Sequence, residues 1–142
     1  MDTQDEIERY IAAQPPAKRD DLLSLHRRIL EIAPGCRLWF LSGRNEAGKI
    51  VSNPSAGYGF QTLRYANGET RDFYRVGLSA NTGGISVYFM ELEDKQHLSD
   101  TYGASLGKAT VTGYCIKFRS LQDVNRAVLD EAITTHMSAL AP

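Results

Sequence analysis

Residues suited to chemistry concentrate between positions 57 and 90. Tyr58, Phe60, Tyr65, Phe73, Tyr74 and Tyr88 share that stretch with Arg64, Arg71 and Arg75. Aromatic rings supply flat apolar contact, and arginine recognises carboxylate or phosphate through a planar fork of donors. This mixture holds a ligand; it does not make or break bonds. Tyr58, Arg64, Arg75 and Tyr88 are the candidate binding residues.

Catalytic templates fit poorly. A hydrolytic triad needs a nucleophile, a base and an orienting group. The available bases are His26, His97 and His136, and none neighbours a Gly-x-Ser-x-Gly elbow. All three are expected as ordinary surface or boundary histidines. Cys36 and Cys115 lie far apart, outside any metal-ligand spacing, and read as reduced thiols. Gly57 and Gly59 form a Gly-x-Gly step, but it precedes a strand instead of opening a helix, so it is no dinucleotide fingerprint. No catalytic residue and no tightly bound cofactor is assigned.

Weak iron binding asks for less, because carboxylates are hard oxygen ligands that need no preformed cage. Asp5 and Glu6, with Asp2 and Glu8 nearby, are the candidates for that alternative. Acids at a helix start also complement its macrodipole, and Arg9, Lys18 and Arg19 offset an acidic ridge.

Formal net charge is -1, so no global field draws in nucleic acid or an anionic membrane. Base stacking on the aromatic strands is therefore not expected. No segment approaches the ~20 apolar residues that cross a bilayer. The opening MDTQDEIERY lacks the basic start and apolar run of a secretory signal, and a cytosolic location is expected.

The elements that must position these residues follow from periodicity. A first helix starts after Asp2 or Thr3, where Thr3 with Glu6 has the form of a capping box, and Pro15-Pro16 ends it. Leu22, Leu25, Ile29 and Ile32 recur at helical spacing and predict a helix over 17–33, stopped by Pro34-Gly35. Residues 37–42 read as a strand, and 43–54 as a loop with a short strand at 49–51. Residues 57–90 predict three consecutive strands, with Asn67-Gly68 and Asn81 to Gly84 as the turns. Alternation places Ile85, Val87 and Phe89 on one face and Ser86 and Tyr88 on the other. The same rule sets Tyr74, Val76 and Leu78 against Phe73, Arg75 and Ser79. A short helix within 91–102, a strand over 113–118 and a last helix from Asp123 or Asn125 complete the chain. The fold class is α+β: an antiparallel sheet of about five strands, with two N-terminal helices and a C-terminal helix packed mainly on one face, in a single domain spanning 1–142.

Taken together, the segments GYGFQTLRYANGETRDFYRVGLSANTGGISVYFM and LGKATVTGYCIKFRSLQDVNRAVLDEAI resemble the YdhG-like family, also called domain of unknown function 1801. The matching positions include Gly57, Gly59, Gly68, Gly77, Ser79, Tyr88, Leu106, Gly107, Lys108, Leu121, Asp123 and Val124, and IERYIAAQPPAKRDDLLSLHRRI fits the family's start. The chain departs from the pattern at Asn81-Thr82-Gly83, where relatives often carry basic residues. It departs again at 108–113, where only Lys108, Thr112 and Gly113 fit a basic loop. The resemblance implies a helix-flanked antiparallel sheet and, through relatives named frataxin-like iron chaperones, a weak association with iron. The expected function is a non-catalytic module that binds a small ligand or protein partner on the solvent face of the sheet. Trp39 and Met90 point toward that face, which also offers a surface for homodimerisation. The alternative is a frataxin-like iron carrier that uses weak carboxylate ligands.

Overall fold

A computed structural model describes residues 2–90, 92 and 94–138. Helix α1 (Thr3–Ala12) is capped by Asp2, whose carboxylate accepts the Asp5 amide at 2.8 Å. Of the two expected starts, Asp2 is the cap, and Thr3 lies inside the helix. Asp5 and Glu6 occupy the first turn, where their charge complements the helix dipole. Helix α2 (Pro16–Ile32) opens on a proline, which has no amide to leave unsatisfied there.

The strands are β1 (Leu38–Leu41), β2 (Ser55–Tyr58), β3 (Gln61–Arg64), β4 (Thr70–Phe73), β5 (Val76–Asn81), β6 (Gly84–Phe89), β7 (Thr110–Val111) and β8 (Cys115–Phe118). A short helix α3 (His97–Tyr102) lies between β6 and β7. Helix α4 (Arg126–Ser138) follows Asn125, whose side chain accepts the Val128 amide at 3.3 Å. The class is α+β. The main sheet is antiparallel and six-stranded, ordered β1-β2-β5-β6-β8-β7; the short β7 is the strand beyond the expected five. The predicted strand at 49–51 is reduced to a single bridge between Arg44 and Ile50.

The first two strands of the expected meander are each broken. At the Asn67-Gly68 turn β3 and β4 pair as a separate two-stranded ribbon, while β2 and β5 pair within the main sheet. Gly59, at φ +87°, turns the chain between β2 and β3. Across the break the Gln61 carboxamide donates to the Tyr74 carbonyl at 2.9 Å and to the Met90 carbonyl at 3.3 Å.

Cross-strand register fixes the two faces of the sheet. Tyr58, Val76 and Phe89 align on one side, as do Ala56, Leu78, Val87 and Ile116. They join Ile7, Ile11, Leu22, Leu25, Ile29, Leu129 and Ile133 in one apolar core, so the helices cover that face. On the opposite face lie Trp39, Gly57, Gly77, Tyr88 and Cys115 in one row. Alternation is regular within β6, as the sequence predicts.

Two histidines are buried, not at the surface or boundary as expected. His26, 4% exposed, sits on the apolar stripe of α2, with Nδ1 at 2.6 Å from the Tyr58 hydroxyl. His136, 7% exposed, places Nε2 at 2.8 Å from the Met90 carbonyl. Burial lowers both imidazole pKa values below the ordinary 6.5, so each is held neutral. Below pH 6.5 the unfolded chain takes up protons that the folded chain refuses. Stability is therefore full above that value and falls as pH drops toward the depressed folded-state values, by up to about 1.4 kcal/mol per pH unit for each imidazole. Urea midpoints measured from pH 7.5 down to 5 should fall steadily, and His136→Gln should flatten the slope. A midpoint that stays level over that range would contradict the burial of neutral imidazoles.

Candidate functional site

The open face of the sheet carries an aromatic assembly built on two glycines. Tyr74 follows β4, and its ring lies flat across Gly57 and Gly77, a cross-strand pair. A Cβ at Gly57 would stand 2.3 Å from Tyr74 Cδ2, and one at Gly77 would stand 2.7 Å from Cε1. No side chain larger than hydrogen fits under the ring. Phe73 rests against Tyr74 with centroids 4.1 Å apart, and Trp39 meets Phe73 edge-on at 6.0 Å. The Arg71 guanidinium lies 4.6 Å from the Phe73 ring, and that of Arg37 lies 4.2 Å from Trp39. Such cation–ring pairs fix the arginine heads beside apolar surface.

Next to this assembly is a groove of about 550 Å³. Phe73, Tyr74, Tyr88 and Tyr114 line it with Met90 and Leu41. Tyr88 and Tyr114 stack at 6.0 Å with planes 12° apart. Arg71 is the lining cation, and Ser52, Asn53 and Ser55 supply short polar groups. Burial pushes the Tyr74 phenol up to about 12, eased by Ser55 beside its hydroxyl. Burial also raises the Tyr88 phenol and the Cys115 thiol. At neutral pH the phenols are thus protonated donors, and Cys115 is a thiol rather than a nucleophilic thiolate. Among the described residues no histidine, cysteine or carboxylate lines the groove.

The structure brings only one of the four expected binding residues to this place. Tyr88 lines the groove, and Met90 and Trp39 lie at or beside it as the strand pattern predicts. Tyr58 is fully buried on the helix side, bonded to His26. Arg75 is 5% exposed and donates Nε to the His136 carbonyl at 2.9 Å. It anchors the C-terminal end of α4, where a cation meets the negative end of the helix dipole. Arg64 is exposed on the β3–β4 ribbon, away from the groove lining. The expected contact role of Tyr58 and Arg75 at the solvent face is therefore corrected. Strict alternation fails at Tyr74-Arg75, because the break between β4 and β5 turns Tyr74 to the open face and Arg75 to the covered one. Arg71 takes the place expected for Arg64 and Arg75; its signal was the i, i+2 spacing to Phe73 on one strand face.

Asp5 and Glu6 stay in the first turn of α1, and among the described residues no group of three or more His, Cys, Asp or Glu is placed to hold a metal ion. Among the described residues no helix is long and apolar enough to cross a membrane. Cys36 and Cys115 are both free. Compared with family models, curated proteins and solved structures, the chain matches none.

Arg75→Ala should cost about 2–3 kcal/mol, the loss of charge-assisted hydrogen bonds in a buried setting. Arg64→Ala should stay within about 0.5 kcal/mol of the parent, as exposed substitutions do. Chemical denaturation of the two variants side by side checks this, and equal stability would return Arg75 to the surface.

Proposed function

We propose that the chain is a cytosolic YdhG-like binding module, without catalytic chemistry, whose open-face groove takes a small planar ligand bearing an anionic group. The observation that carries this reading is the groove's make-up: four aromatic rings and a single cation, Arg71, in a space of about 550 Å³. That volume lies in the range of small-molecule sites, about 300–1,000 Å³. The rings favour a flat apolar body, and the Arg71 fork favours a carboxylate or similar anion. Neutral phenols at Tyr74 and Tyr88 add donors for the same charge. Ser52 and Ser55 are in the lining, but no histidine or carboxylate of the described lining is there to activate a hydroxyl, which favours holding over turnover. Kinship with the YdhG-like family rests on the sequence motifs around Gly57, Gly77 and Lys108. Two of those glycines are the ones that seat Tyr74.

The chain has one tryptophan, and it lies 6.0 Å from the groove residue Phe73. Titration with 2-naphthoate, followed by Trp39 fluorescence, should give a saturable change. Arg71→Gln and Tyr88→Ala should each weaken binding by about ten-fold, the equivalent of one good contact. Uncharged 2-naphthalenemethanol should bind the parent more weakly than the acid. No saturable signal, or affinity untouched by both substitutions, would contradict the reading.

A further inference from the structure

A second hollow, of about 290 Å³, opens where the β5–β6 turn meets β7 and the end of β8. It lies at the Gly84 end of β6, four residues along the strand from Tyr88. Its lining brings together Lys108, Lys117 and Arg119, with no carboxylate among the lining residues. The three cations come from different places. Lys117 is on β8, Arg119 follows it, and Lys108 is held beside them because its amide donates to the Asp123 carbonyl at 3.0 Å. Lys18 adds a fourth charge at the rim, where its ammonium donates to the carbonyl of the lining residue Asn81.

The charge balance here is unusual for this chain. Acids outnumber bases, 17 to 16. Yet none of the three lining cations has a salt-bridge partner among the described residues, where the one ion pair is Arg28 with Asp130. Three like charges around one hollow repel one another, and a bound anion reverses the sign of that interaction. Ile85 and Phe118, which also border the hollow, are buried and bring no opposing charge to it. Thr110 offers a hydroxyl at the same place. Three cations lining one hollow, one of them a planar fork, suit a compact tetrahedral dianion with several oxygens.

We propose that this hollow binds the phosphoryl group of a small phosphorylated molecule. The site is independent of the groove, and neither depends on the other being occupied. A nucleic-acid backbone is disfavoured as occupant, because polyanion binding needs positive charge extended over several phosphates and this chain is net negative.

The test is an amide chemical-shift titration of the full chain with inorganic phosphate, ribose 5-phosphate and ribose, at millimolar concentrations. Inorganic phosphate and ribose 5-phosphate should move the amides of Gly83, Gly84, Ala109 and Thr110, and ribose should not. Tighter binding of ribose 5-phosphate assigns the site to an organic phosphate, while equal affinity assigns it to free phosphate; either supports the phosphoryl site. Lys108→Gln, Lys117→Gln and Arg119→Gln change exposed side chains and should leave the urea midpoint unchanged. Each should weaken binding by about five-fold or more, the scale of one charge-assisted hydrogen bond. Absent shifts, or affinity unchanged in all three variants, would overturn the proposal. So would a single-stranded oligonucleotide that moves these amides at lower concentration than either phosphate.

Discussion

The ring of Tyr74 lies across a pair of glycines, and most of what is distinctive about the open face follows from that one contact. With Gly57 and Gly77 opposite each other on β2 and β5, the sheet has a patch with no side chains. Tyr74 fills it so closely that a Cβ at either position would overlap the ring. Reaching that patch requires the chain to leave regular strand geometry between β4 and β5. The same departure sends Arg75 through to the covered face. Phe73 then packs on Tyr74, Arg71 on Phe73, and Trp39 on the edge of Phe73. The groove is the space this stack leaves between itself and the Tyr88–Tyr114 pair.

Polar anchors on the covered side hold the same strands from beneath. His26 bonds to Tyr58 on β2, and Arg75 reaches from the start of β5 to the end of α4. His136 approaches the Met90 carbonyl, which also accepts from Gln61. Met90 lines the groove, so α4 and the β3 end of the break both fix the position of one groove wall. Buried polar groups of this kind are costly when one partner is removed, and they therefore specify a single arrangement of strand and helix.

Much of this was legible in the sequence where the signals were local. The Asn67-Gly68 turn, the stripe of α2 and the alternation of Ile85, Val87 and Phe89 each depend on neighbours within a few residues, and the structure reproduces them. Tyr88 on the open face follows from the same alternation. Extrapolating a period of two through 73–76 gave the wrong face for Tyr74 and Arg75, because the seat of the Tyr74 ring is completed by Gly57, a partner from another strand, and not by Gly77 alone. His26 was in fact readable: it stands four residues after Leu22 and three before Ile29, on the buried stripe. Lys108, Lys117 and Arg119 are brought to one hollow by the short β7–β8 hairpin and the Gly107–Val124 bridge, and a two-residue β7 carries too little alternation to be read from sequence.

The most direct measurement of the central contact is a double-mutant cycle on Gly57 and Tyr74, read by urea denaturation. Gly57→Ala alone should cost about 2–3 kcal/mol, since the added methyl meets the ring with no room to shift. In a Tyr74→Ala background the same change should cost little, giving a coupling of more than about 1 kcal/mol between the two positions. Strictly additive effects would show that the ring does not rest on the glycine, and the account of the open face would fall with it.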